Sequence, residues 1–167
     1  MISLVYGGSG SGKSDYAESL LKDSPVKLYL ATMPYNDANR MRIERHRRRR
    51  ADKEFVTMES TGDFSQIKIP EGADILLEDL PNLLADRMFS SDGKVNADAY
   101  GLVKNDLEHL IKSAGDLVVV SDDIFSSGMD YDPLTEDYMR ILGQLHSWLA
   151  QYSEVTEVIA GIPVKVK

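Results

Sequence analysis

A mostly parallel α/β fold is what this sequence predicts, and three observations predict it. The first is the stretch from Gly7 to Ser14, Gly-Gly-Ser-Gly-Ser-Gly-Lys-Ser, which satisfies the phosphate-loop pattern of Gly, four residues, then Gly-Lys-Ser. The second is its flanks. Ile2 to Tyr6 is short, apolar and β-branched, as a buried parallel strand should be, and Asp15 to Leu21 places Tyr16, Ala17, Leu20 and Leu21 at helical spacing. The third is recurrence: Val26 to Ala31, Ala73 to Leu77 and Leu117 to Val120 are further short apolar runs, with helical stretches between them.

The loop carries its own chemistry. Glycines let successive backbone N–H groups curl around an anion, because no Cβ forbids the tight turn. The helix that follows points the positive end of its dipole at the same anion. Gly7, Gly8, Ser9, Gly10, Ser11 and Gly12 are thereby expected to cradle phosphates. Lys13 would reach the β- and γ-phosphates and act in catalysis, and the Ser14 hydroxyl would ligate Mg²⁺.

The chain then reads in order. Asp23-Ser24-Pro25 breaks the first helix, Val26 to Ala31 forms the second strand, and Thr32-Met33-Pro34 ends it. Asn36 to Arg50 is expected to be a helix with a basic face. Arg42, His46 and Arg49 follow one another at i, i+4, i+7; the neighbouring cations bias His46 toward the neutral form that can act as nucleophile or base, and a solvated basic face is the rival reading. Phe55 to Glu59 is a third short strand, and a helix is expected around Gly62 to Ile67, stopped by Pro70. Ala73 to Leu77 ends in Glu78 and Asp79, the Walker B arrangement that places a carboxylate in the Mg²⁺ shell. A helix N-cap is the rival role, stronger for Asp79 than for Glu78. Leu80 to Phe89 and Asn96 to Ser113 read as helices, the second with Leu102, Val103, Leu107, Leu110 and Ile111 on its buried face. Leu117 to Val120 is the fifth strand. Asp122 and Asp123 follow at its carboxyl end, where open α/β sheets bind ligands, and are secondary candidates for a metal or a water. Pro133 to about Tyr152 is a helix. Glu154 to Ala160 is a last central strand, and Val164 to Lys167 is an edge hairpin partner beyond the turn Gly161-Ile162-Pro163.

Composition excludes several classes. With 167 residues and no break in patterning, residues 1–167 are expected to form a single nucleotide-binding domain. Cysteine is absent, which removes thiol catalysis and cysteine-ligated zinc. The first strand begins at the second residue, leaving no room for a signal peptide, and no apolar stretch matches a membrane span; the expectation is a cytoplasmic protein. A net charge of −8 argues against nucleic-acid affinity, so the seven arginines between Arg40 and Arg50 are a local device.

Taken together, these residues resemble the bifunctional adenosylcobinamide kinase / adenosylcobinamide-phosphate guanylyltransferase family of cobalamin assembly. The likeness rests on Tyr6-Gly7-Gly8 through Lys13-Ser14, Tyr29 to Thr32, Arg42-Ile43, His46-Arg47 with Arg50, and Phe55 to Glu59. It continues through Ile75 to Glu78, Leu117 to Ser121, and Ala160 to Pro163 with the closing Lys167. The resemblance implies a P-loop NTPase fold, RecA-like, often assembled as a homotrimer. It implies two reactions: phosphorylation of adenosylcobinamide from ATP or GTP, and transfer of GMP from GTP through a guanylyl-histidine that His46 matches. Thr32, Met33 and Pro34, then Arg47, Arg48, Arg49 and Arg50, and Glu59 resemble nucleotide-contacting positions, with Glu59 suited to the N1–H and N2–H₂ edge of guanine. The family usually carries Ser-Asn-Glu after the fifth strand, where this chain has Ser121-Asp122-Asp123. Its Phe-Arg-Asp and Asn-Gln near the following helix are here Tyr138-Met139-Arg140 and His146-Ser147. Those substitutions keep two other functions open: a P-loop kinase or NTPase for another small-molecule acceptor, or a nucleotide-sensing module.

Overall fold

The computed structural model describes residues 1–33, 41, 44, 55–59, 64–89 and 94–167. Seven strands form one sheet: β1 Ile2–Gly7, β2 Lys27–Ala31, β3 Phe55–Glu59, β4 Asp74–Glu78, β5 Leu117–Asp122, β6 Glu154–Ile159 and β7 Ile162–Lys165. Their order is β3-β2-β4-β5-β1-β6-β7. The first six run parallel, and β7 returns antiparallel to β6 as the expected edge strand. Among the described residues four helices flank the sheet: α1 Lys13–Leu20, α2 Leu80–Met88, α3 Ala99–Ser113 and α4 Pro133–Leu149.

The central strands are apolar without interruption because both faces are covered. Leu4, Ile75, Leu77, Leu117 and Val119 join a core with residues of α2, α3 and α4. Their alternates Val5, Leu76, Val118 and Val120 pack with Ala17 and Leu21 at α1. Strand β6 lies inside the sheet, between β1 and β7. The edges differ: β7 is exposed along its length, and Val56 of β3 is 59% exposed.

Two expectations are corrected. In α3 the buried residues are Ala99, Val103, Asp106, Leu107 and Leu110, so Leu102 falls beside the stripe and is exposed. Asp106 occupies the interior because it is satisfied there. Its carboxylate accepts from Arg87 Nε at 2.8 Å and Phe64 N at 3.1 Å, and pairs with Arg87 Nη2 at 2.7 Å. The helix expected around Gly62 to Ile67 is, among the described residues, one 3₁₀ turn at Phe64–Gln66, whose first N–H that aspartate takes. Asp106→Ala removes the acceptor of the buried Phe64 amide and of Arg87 Nε and Nη2, leaving the guanidinium its contact with Asp86 at 3.3 Å. The expected cost is about 3–5 kcal/mol in denaturant unfolding. The basic helix expected over Asn36 to Arg50 lies outside the described residues except at positions 41 and 44.

Candidate phosphate-binding site

Five parallel strand ends, those of β3, β2, β4, β5 and β1, deliver the candidate residues to one edge of the sheet. At β1 the chain leaves Gly7 and turns back on itself, with Ser11 N donating to Gly8 O at 3.2 Å. Gly8, Ser9 and Gly10 form the exposed tip, and a Cβ on Gly8 or Gly10 would meet nothing within 4 Å. Gly12, at φ 91°, caps α1 in the left-handed region that favours glycine. The turn after β6 seats on the loop: Gly161 N donates to Ser11 O at 2.7 Å, and a Cβ on Gly12 would lie 3.3 Å from Gly161 Cα. This contact gives Gly161 its reason, and the turn is tighter than expected: Ile162 and Pro163 already belong to β7, paired with Ile159 and Val158. Gly7 is constrained by packing instead, since a Cβ there would come 2.5 Å from the Val158 carbonyl oxygen. Gly7→Ala is therefore expected to cost about 1–3 kcal/mol and to displace the loop, read as a lowered melting temperature with weakened nucleotide affinity.

Lys13 and Ser14 open α1 and point into this edge. Lys13 is 7% exposed; its ammonium donates to Gly8 O at 3.3 Å and pairs with Asp122 Oδ1 at 2.7 Å. The Ser14 hydroxyl donates to Glu78 Oε1 at 2.7 Å. Glu78 is almost fully buried, and its second oxygen, Oε2, has no hydrogen-bond partner among the described residues. Burial pushes the Glu78 carboxyl up to about 7; the Ser14 hydrogen bond opposes this, Asp79 and Glu18 add to it, and Lys13 counteracts it. A buried, half-satisfied carboxylate beside a hydroxyl is a set of hard oxygens that suits Mg²⁺, an ion that binds few protein ligands and retains several waters. No group of three or more His, Asp or Glu suited to a metal occurs among the described residues.

The rival roles of the paired acids are resolved by geometry. Asp79 is the N-cap of α2, its Oδ1 accepting from Asn82 N at 2.8 Å, while Glu78 faces Ser14. Thr32 holds this corner in place. It is buried, its hydroxyl donates to Asp79 O and accepts from Asp79 N, both at 2.8 Å, and its own N–H donates to Glu78 O at 3.0 Å. Thr32 thus bears on the site by fixing where Glu78 stands. Met33 follows it, half-buried. Glu59 ends β3 exposed, in register with Ala31 of β2, which is itself in register with Glu78. It is four strands from the loop, about 19 Å at normal strand spacing. Pro34, His46, Arg47, Arg48, Arg49 and Arg50 lie outside the described residues.

Beyond β5, sequence reasoning treated Asp122 and Asp123 alike. The structure separates them: Asp122 takes Lys13, while Asp123 accepts from Phe125 N at 3.1 Å and Ser126 Oγ at 2.8 Å to shape the following loop. Helix α4 brings two of the residues at which the chain departs from the family pattern, Tyr138 and His146, to this edge. Its Tyr138 hydroxyl donates to Pro81 O at 2.9 Å, and its His146 Nε2 lies 2.6 Å from Ser121 Oγ. Burial lowers the His146 pKa to about 4 against the pull of Asp123 and Asp122, so the imidazole is neutral at pH 7. The signal was available in Tyr138 and His146, eight residues apart on one helix face.

A family model described as cobinamide kinase / cobinamide phosphate guanyltransferase matches residues 3–166. Two curated relatives, both named bifunctional adenosylcobalamin biosynthesis protein CobU, come from Escherichia coli K12 and Salmonella typhimurium. Each is 28% identical, over 182 and 187 residues respectively, and each alignment covers the whole of both chains. A third, bifunctional adenosylcobalamin biosynthesis protein CobP of Pseudomonas aeruginosa, is 29% identical over 171 residues, covering all of this chain and 98% of that one. Among solved structures, the P4 protein of bacteriophage phi6 in complex with ADP aligns with 14% identity and a TM-score of 0.45, over 97% of this chain and 52% of its own. No helix among the described residues is long and apolar enough to cross a membrane.

Proposed function

Because this chain belongs to the cobinamide kinase / cobinamide phosphate guanyltransferase family, we propose which of its residues perform the family's two reactions in adenosylcobalamin biosynthesis. In the first, a nucleoside triphosphate phosphorylates adenosylcobinamide; in the second, GMP passes from GTP to the resulting phosphate. The loop amides from Gly7 to Gly12 hold the phosphate oxygens, and Lys13 neutralises charge that builds on the β- and γ-phosphates during transfer. Ser14 and Glu78 hold Mg²⁺, which supplies Lewis-acid stabilisation of the phosphate oxygens when bound. The observation that carries this assignment is the Ser14–Glu78 hydrogen bond at 2.7 Å, with Glu78 Oε2 unpartnered among the described residues and Lys13 acting on the same carboxyl.

For guanylyl transfer, a ring nitrogen of His46 attacks the α-phosphorus of GTP. The N–P bond forms as the bond to pyrophosphate breaks, and pyrophosphate leaves. An oxygen of cobinamide phosphate then attacks the same phosphorus, the N–P bond breaks, and the histidine is regenerated. Arg47, Arg48, Arg49 and Arg50 offset phosphate charge, Met33 and Pro34 adjoin the nucleotide, and Glu59 accepts from the guanine edge. Assembly as a homotrimer and a cytoplasmic location belong to the same proposal.

Incubating the protein with α-labelled GTP and Mg²⁺ tests the reading. An acid-labile covalent GMP adduct should form, and adenosylcobinamide phosphate should discharge it. Failure to label, or an adduct that the acceptor cannot discharge, would overturn the transferase assignment. Glu78→Gln should raise the Mg²⁺ concentration needed for half-maximal turnover about tenfold or more, since a neutral amide binds a hard dication poorly. A Mg²⁺ titration of both proteins measures it, and an unchanged midpoint would remove Glu78 from the metal site.

A further inference from the structure

One carboxylate at this edge has no duty in the scheme above. Glu78 serves the metal, Asp79 caps α2, and Asp123 shapes the loop after β5. Asp122 does none of these. It ends β5 in register with Gly7, and the next residue clamps the strand to the loop, Asp123 N donating to Gly7 O at 3.0 Å. Its side chain is 28% exposed, and its Oδ1 lies 2.7 Å from Lys13 Nζ.

We propose that Asp122 is the proton acceptor for the hydroxyl that is phosphorylated. The inference rests on the assignment of Lys13 to the β- and γ-phosphates. When a triphosphate occupies the loop, a phosphate oxygen takes the place of Asp122 on the Lys13 ammonium. The Asp122 carboxylate, partly exposed, is then left beside the terminal phosphoryl group. A second anion there repels the nucleotide and weakens its binding, a cost that is offset when the carboxylate receives a proton during transfer. The acceptor oxygen forms its bond to the γ-phosphorus, the bridging P–O bond breaks with its electron pair leaving on the nucleoside diphosphate, and the hydroxyl proton moves to Asp122 and on to water. The other titratable groups around this carboxylate suit the role. Tyr138 and His146 on α4 both feel its charge, but the tyrosine hydroxyl is spent on Pro81 O and Nε2 of the imidazole is held at Ser121, so neither takes the proton in its stead.

The test is steady-state phosphorylation of adenosylcobinamide by MgATP, with ATP affinity measured separately by calorimetry and folding checked by thermal melting. Asp122→Asn should lower kcat about a hundredfold or more, the usual contribution of a general base, with ATP binding equal or tighter. Asp122→Gly should be equally slow and should recover activity with added formate in proportion to its concentration, a response that a purely structural residue would not give. Turnover of Asp122→Asn within threefold of wild type would overturn the proposal and leave Asp122 as a clasp on Lys13 in the empty site. Turnover and ATP affinity falling in parallel, or a formate-insensitive Asp122→Gly, would overturn it as well. A wild-type protein that binds ATP and phosphorylates no cobinamide would overturn the kinase reading itself, which is a distinct result.

Discussion

Lys13→Ala should weaken ATP and GTP binding by about a hundredfold or more, because the loop loses charge-assisted hydrogen bonds to phosphate worth about 3 kcal/mol. Two features of the site enlarge the loss. Lys13 is held nearly buried at the mouth of α1, between Gly8 O and Asp122, so its ammonium arrives pre-positioned and little freedom is given up on binding. Its removal also leaves the Asp122 carboxylate facing the incoming phosphates without a counter-cation. The domain itself should remain folded, since Asp122 is partly exposed and water can take over its solvation once the lysine is gone. Calorimetry with each nucleotide, alongside a thermal melt, measures both halves of the claim. Unchanged affinity in a folded Lys13→Ala protein would show that the loop is not a phosphate site.

His46→Ala should abolish the covalent GMP adduct and with it all guanylyl transfer, while nucleotide binding and the kinase step persist. The imidazole stands in sequence among Arg40, Arg42, Arg45 and Arg47 to Arg50, so the attacking group and a cationic environment for the triphosphate come from one segment. Those cations disfavour protonation of the ring and keep its lone pair available. No other side chain of the described site duplicates this: His146 is held at Ser121, and the chain has no cysteine. Labelling with α-labelled GTP, followed by peptide mapping of the adduct, gives the answer. An acid-stable adduct, one that maps elsewhere, or full transferase activity in His46→Ala would refute the assignment.

Much of the fold was legible in the sequence because the strands are buried on both faces. Leu4-Val5, Ile75-Leu76-Leu77 and Leu117 to Val120 need no alternation, so their type and approximate bounds follow from composition alone. The phosphate loop was legible for a different reason. Its glycines, lysine and serine are contiguous, and the local backbone makes the site before any distant residue arrives. A buried charge was not legible. Asp106 reads only as one more charge of α3 until Arg87 from α2 and the Phe64 amide are seen to enclose it.

By itself, then, the sequence determined the α/β class, the strand–loop–helix phosphate site with Lys13 and Ser14, and, through its resemblance, the family and its two reactions. Tertiary structure decided which of several adjacent acids does what. Glu78 and Asp79, like Asp122 and Asp123, are neighbours of identical charge, and no spacing rule separates them. Only the strand order, with β5 between β1 and β4, sends Glu78 to Ser14 and Asp122 to Lys13 and leaves Asp79 and Asp123 to cap backbone turns. The physical reason is range. Backbone conformation and burial pattern are set by near neighbours along the chain, whereas the partner of a carboxylate is set by which strand ends the sheet brings within about 3 Å of it.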